Sequence, residues 1–152
     1  MLYTRPPSIA DTDRFVRTTQ IERRVVFSLM HVRRMEKDGL FPRRISLGGR
    51  CVGWSLRDVL LWMQERLDER RIGWSSTRTL IQPSDRFISA KEVCSIVALS
   101  KNRIDYLESD GAFPRRVQIG PQRIAWLERE VQNWVEDTKI RTILHFDEVA
   151  AL

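Results

Sequence analysis

Displacing the chain by 72 residues lays DGLFPRR (residues 38–44) over DGAFPRR (residues 110–116), with six of seven letters identical, and the register continues in both directions without a gap. Asp13-Arg14-Phe15 meets Asp85-Arg86-Phe87. Ser28 meets Ser100, Val32 Ile104, Met35 Leu107, Glu36 Glu108, Leu47-Gly48 Ile119-Gly120, Trp54 Trp126, Val59 Val131 and Trp62 Trp134. The matching positions are mostly apolar, glycine, proline and tryptophan, the types that a backbone and a core require, whereas the residues between them differ. A duplicated scaffold with a diverged surface follows.

At 152 residues the chain holds two very small units, each near the lower size limit for an independent core. The first spans 13–70 and the second 85–141. Residues 71–84, RIGWSSTRTLIQPS, contain Gly73, Ser75, Ser76, Pro83 and Ser84 and read as a linker, with Trp74 placed to staple the units together. Residues 1–12, with Pro6-Pro7, read as a flexible arm. Residues 142–152 form a C-terminal tail whose Ile143-Leu144-His145-Phe146 is apolar enough to dock.

The second copy spells out one unit. Ser89-Ala-Lys-Glu92 has the form of a capping box, which starts a helix. Val93, Ile96 and Val97 give that helix one buried stripe. Ser100 caps a second helix over 101–110 with Ile104 and Leu107 inward, Gly111 suits the left-handed residue that closes it, and Pro114 forbids its continuation. From Arg115 the period changes to alternation through Val117 and Ile119. Gly120-Pro121-Gln122 then turns the chain, and Arg123 to Trp126 return as a second strand. A third helix begins at about Leu127, with Val131, Trp134 and Val135 on one side. The fold class is mainly α with small β-hairpins (α+β): helix, turn, helix, two-stranded wing, helix, twice over.

The first copy repeats this order through Ile21, Val25 and Val26, then Val32 and Met35, then Gly48-Gly49, then Val59, Trp62 and Met63. Arg17 stands where Ser89 does, so Thr18 or Thr19 is the expected substitute cap. Trp54, Trp62, Trp126 and Trp134 fall on inward phases and read as core.

A formal charge of +6, from 26 Lys and Arg against 20 Asp and Glu, favours a polyanionic partner. Cys51 and Cys94 lack metal-ligand spacing and read as reduced thiols, the two histidines have no partner at catalytic spacing, and no phosphate-cradling glycine loop is present. Neither an enzyme nor a cofactor or metal is expected. No apolar run of bilayer length or signal-peptide core occurs, so a cytoplasmic protein without membrane contact is expected.

In ALSKNRIDYLESDGAFPRRVQIGPQRIAWLEREVQNWVE (residues 98–136) a serine-capped helix, a G-x-F-P turn, a basic hairpin and a tryptophan-bearing last helix come in order. Each copy thereby resembles the winged helix-turn-helix modules of AlpA-type phage regulators and small excisionases, relatives of the MerR-type domain. The resemblance covers about three quarters of the chain and implies double-stranded DNA as partner, with the second helix in the major groove and the wing along the adjacent minor groove or phosphates. It also implies a transcription regulator or a recombination directionality factor that works with RNA polymerase or a recombinase.

The residues support that assignment on their own chemistry. Lys101, Asn102 and Arg103 in the first turn of a capped helix can point together at base edges, Asn pairing with adenine and Arg with guanine. Tyr106 can meet a base methyl or a phosphate, and Asp105 could accept from cytosine. Arg115, Arg116, Gln122 and Arg123 flank the wing tip and can bracket phosphates. In the first copy the corresponding helix opens with Leu29, Met30 and His31. His31 either reads a guanine or has no task, and Arg33, Arg34, Arg43, Arg44 and Arg50 supply charge. That copy carries a net +5 against +1 for the second, so phosphate contact belongs to the first and base reading to the second. The short linker lets one monomer grip adjacent half-sites, with assembly along DNA a further expectation. The competing reading is a protein-binding adaptor that holds a partner through Leu29 and Met30.

Overall fold

The computed structural model describes residues 13–70 and 78–151. The expected arm at 1–12, and the linker positions Gly73, Trp74, Ser75 and Ser76, lie outside the described residues. The first copy comprises β1 (Phe15–Val16), α1 (Thr18–Val25), α2 (Leu29–Lys37), β2 (Ile45–Ser46), β3 (Val52–Ser55) and α3 (Leu56–Glu69). The second comprises β4 (Phe87–Ile88), α4 (Ala90–Val97), α5 (Lys101–Ser109), β5 (Val117–Gly120), β6 (Arg123–Leu127) and α6 (Glu128–Ala150). Among the described residues, six helices with two small antiparallel sheets make this an α+β chain of two tandem modules.

Each sheet has three strands where the alternation in the sequence announced two. Phe15 and Val16 pair with Ser55 and Trp54, and Phe87 and Ile88 pair likewise with Leu127 and Trp126. The strand orders are β1-β3-β2 and β4-β6-β5. A strand of two residues has no period to detect, so only its tertiary pairing reveals it.

Local chemistry accounts for the helix ends. Ser28, Ser89 and Ser100 each accept a backbone N–H from the residue three positions on, at 3.2 to 3.4 Å. The Glu92 carboxylate, expected to reach back to the cap and close a box, receives Arg86 at 3.2 Å instead. At α1 neither threonine is the cap. Arg17 takes that position, and Gln20 Oε1 reaches back to its N–H at 2.9 Å. Val26 and Ala98, which close α1 and α4, both sit in the left-handed region at φ 63° and 56°, which strains any side chain and a β-branched one most.

The repeated DGxFPRR is a helix stop joined to a clamp. Gly39 (φ 73°) and Gly111 (φ 76°) are the left-handed residues of Schellman motifs. Leu40 donates its N–H to the Met35 carbonyl, and Ala112 does so to that of Leu107, both at 2.8 Å. The next residue back into the core is Phe41 or Phe113. Its ring meets Trp62 or Trp134 edge-on, with centroids 4.9 Å apart in both copies. Each indole N–H donates at 2.8 Å to the carbonyl after the glycine, that of Leu40 or Ala112.

The two modules are not beads on a string. Strand β6 alternates: Ile124 and Trp126 face their own module, whereas Ala125 and Leu127 join Val117, Ile119, Phe87 and Ile81 in a single core with α1 and α3. Strands β4 and β6 of the second sheet are therefore buried on both faces, while β5 buries only the Val117 and Ile119 face, and α3 lies between the two modules. Ile81, within the expected linker, is fully buried, so residues 78–84 are part of the packing.

Polar groups in this seam are matched. Arg70 donates to the Arg115 carbonyl at 2.8 Å and Arg115 returns a bond to the Arg70 carbonyl at 2.7 Å. Arg70 also forks onto Glu130, which takes the Thr79 hydroxyl as well. The fully buried Gln64 donates to the Thr79 carbonyl and accepts from the Ile81 N–H. On the other flank, Asp85 is gripped bidentately by Arg129, and Arg24 reaches the Pro83 and Asp85 carbonyls.

Helix α6 runs past residue 141 into the expected tail. It continues unbroken to Ala150 because no Gly or Pro follows Pro121, and Ile143, Leu144 and Phe146 lie exposed along it instead of docking. Trp54, Trp126 and Trp62 are buried and Trp134 is half-buried.

Two stability tests follow. Ala98→Gly should stabilise the fold by about 1 kcal/mol in chemical denaturation by relieving the left-handed strain. Glu130→Gln should destabilise it by roughly 1–3 kcal/mol, since a charge-assisted fork between modules is lost.

Candidate nucleic-acid interface

Ser100 aims the first turn of α5 outward, and its three residues Lys101, Asn102 and Arg103 are all exposed. Arg103 stacks over the exposed Tyr106, 5.1 Å from the ring centroid, which presents a flat cationic face one turn on. Asp105 stands in the middle of this group. Lys101 donates to it at 3.0 Å, Arg116 also reaches it, and these bonds hold its carboxyl below the usual Asp range. The expected cytosine acceptor is thus neutralised by two cations that would otherwise face solvent.

The arginine pairs part company. In both copies the second arginine is clamped by the helix before it: Glu36 Oε1 accepts the Arg44 backbone N–H at 2.9 Å, and Glu108 Oε1 accepts that of Arg116 at 3.0 Å. The Arg116 guanidinium also bonds Glu108, at 2.9 Å, and packs 5.3 Å over the Trp126 ring. Arg44 makes the looser 3.8 Å pair with Glu36. Glu36 and Glu108 were missed as site residues, although they match across the repeat and so carried a signal. The first arginines diverge: Arg43 is exposed, while Arg115 is turned into the seam against Arg70 and away from the phosphate-bracketing position expected of it.

Arg33, Arg34 and Arg50 of the first copy are exposed, as are Gln122 and Arg123 at the second hairpin turn. Met30, at the position of Asn102, is 74% exposed, whereas Leu29 packs partly against the core. His31 stacks on Phe27 with centroids 4.6 Å apart, and its Nε2 is buried without a partner among the described residues, a packing role in place of a base contact through that atom. Burial, and then the nearby Arg123 and Arg34, push its imidazole below the ordinary value.

These geometries recur twice because the scaffold does. The family model described as "Prophage CP4-57 regulatory protein (AlpA)" matches residues 14–67 and again 86–140, more than half of the chain. The chain belongs to the AlpA family. A similar protein is the "Uncharacterized protein ORF88" of Enterobacteria phage P4, 37% identical over 51 residues, which are 34% of this chain and 58% of that protein. No solved structure matches the chain. Both AlpA matches contain the clamp glutamate, the G-x-F-P turn and the last-helix tryptophan. The family is one of phage-associated DNA-binding regulators. No helix among the described residues is long and apolar enough to cross a membrane.

The depressed His31 has a consequence for stability. Because the unfolded chain takes up this proton more readily than the folded one, stability is full above the ordinary imidazole value of about 6.5 and falls as the pH drops below it. His31→Gln should flatten that fall in thermal melts recorded from pH 7.5 to 5.

Proposed function

We propose that this AlpA-family protein is a sequence-selective binder of double-stranded DNA built from two tandem winged helix-turn-helix modules. In this reading it regulates transcription, or directs a site-specific recombinase, for a phage or mobile element. The observation that carries the reading is the first turn of α5: a serine cap turns Lys101, Asn102 and Arg103 to solvent while Ile104 anchors the same helix in the core.

Base reading falls to Asn102 and Arg103, whose forked donors and acceptors match adenine and guanine edges. Arg33, Arg34, Arg43 and Arg50, with Gln122 and Arg123 on the second wing, contact phosphates. Lys101 and Arg116 exchange Asp105 for phosphate oxygens as DNA arrives, so Asp105 raises the cost of binding where the bases do not repay it. No step in this reading is chemical, and the protein is not an enzyme. Its work is to place a recombinase or RNA polymerase in the cytoplasm. The exposure of Met30 favours one alternative, in which the first copy holds a partner protein.

Selection of duplexes from a random pool, followed by mobility shifts across salt concentrations, tests the proposal. Affinity should fall linearly on a log-log plot with a slope near 0.9 per phosphate contacted. Asn102→Ala and Arg103→Ala should each cost about 1–3 kcal/mol on the selected site and relax its preference, whereas Arg43→Ala and Arg50→Ala should weaken all duplexes alike and lower the slope by about 1 each. Asp105→Asn should raise affinity for unrelated duplexes. Binding that is insensitive to all of these changes would leave the adaptor as the better reading.

A further inference from the structure

The second hairpin does not stand clear of the first module. A methyl group on Gly120 would lie 3.7 Å from the Phe27 ring, and the Arg123 guanidinium is 6.0 Å from the centroid of that ring. Phe27 immediately precedes the Ser28 cap of α2 and stacks on His31 within the first turn. At its root the same hairpin is tied to α5, because Arg116 bonds both Glu108 and Asp105. One hairpin is therefore held from both modules, by Phe27 beside the start of α2 at its tip and by α5 at its base.

The described contacts of the seam hold this arrangement together. The apolar core runs continuously from α3 into β5 and β6, and the Arg70–Arg115 exchange, the Arg70–Glu130 fork and the Arg129–Asp85 fork bracket it. The direction of the His31 shift agrees: Arg123 of one module and Arg34 of the other both repel its proton, so cations from both modules crowd one spot where a phosphate would be received.

We infer that α2, the second hairpin and α5 form one continuous DNA-contacting surface of fixed spacing, so that the protein recognises a single asymmetric site. Two modules on a free tether would accept half-sites at variable separation; these do not. The inference rests on the DNA-binding reading. Along the surface, Arg33 and Arg34 meet phosphates at one end, Gln122 and Arg123 the backbone between, and Lys101, Asn102 and Arg103 the bases at the other end.

The test uses the full chain and a duplex selected by it, with base pairs inserted or deleted between the two footprinted segments. One inserted pair turns one segment by about 35° relative to the other, and five turn it through about half a revolution. Affinity should drop at least about tenfold for one pair and about 100-fold or more for five, to the level of a single module. Equal affinity at every spacing overturns the inference and leaves the DNA reading standing. A second measurement needs no DNA: residual dipolar couplings from both modules of the free protein should fit one alignment tensor. Two unrelated tensors overturn the inference whatever the protein binds. One tensor with no duplex selected from the pool overturns the DNA reading, and the assigned role of the surface falls with it.

Discussion

Strands β4 and β6 are buried from both sides, and the rest of the molecule depends on that double burial. A module of under 60 residues exposes too much of its own interior to be well sealed. Here the second module lends one face of its sheet to the first, and α3 fills the space between them with Val59, Leu60, Trp62, Met63 and Leu67. Such a seam brings polar groups into a dry place, where each must find a partner. Gln64, Asp85 and the Arg70–Glu130 pair all do. The two copies consequently differ by position: Val117 and Ile119 are buried in the seam, whereas their counterparts Ile45 and Leu47 are exposed.

The motif that recurs, DGxFPRR, joins backbone geometry to placement of the hairpin. Its glycine ends the helix, its phenylalanine and the distant tryptophan fix the direction of the next segment, and its second arginine is held by a glutamate two turns back. The hairpin is thereby referenced to the helix before it in each module. Carboxylates that would oppose DNA thus serve the fold: Glu108 fixes the hairpin root, and Asp105 occupies Lys101 and Arg116 in the free protein.

Much of each module was legible from residue order because its determinants are local. Serine caps act on N–H groups three residues away, a Schellman glycine acts on carbonyls a few residues back, and strand alternation shows within a handful of positions. The solvent-facing turn Lys101-Asn102-Arg103 was legible for the same reason. The two-residue strands β1 and β4 were not, since no periodicity fits in two residues. The helical continuation of α6 past Arg141 was not foreseen, although the absence of any Gly or Pro beyond Pro121 was there to read. The run Arg123-Ile-Ala-Trp-Leu127, apolar at four successive positions, was the visible trace of a strand covered on both faces.

By itself, the sequence determined that there are two copies, where most of their helices start and stop, which side chains form each interior, and which helical turn offers donors to solvent. All of these follow from interactions spanning a few residues or from internal identity. Tertiary structure alone decided that Arg115 serves the seam, that His31 lies between the Phe27 ring and the cations Arg123 and Arg34, and that the second hairpin rests on the first module. These contacts join residues tens of positions apart. A repeat, however close, carries no information about how its copies pack on one another, because the surfaces that meet are those in which they have diverged.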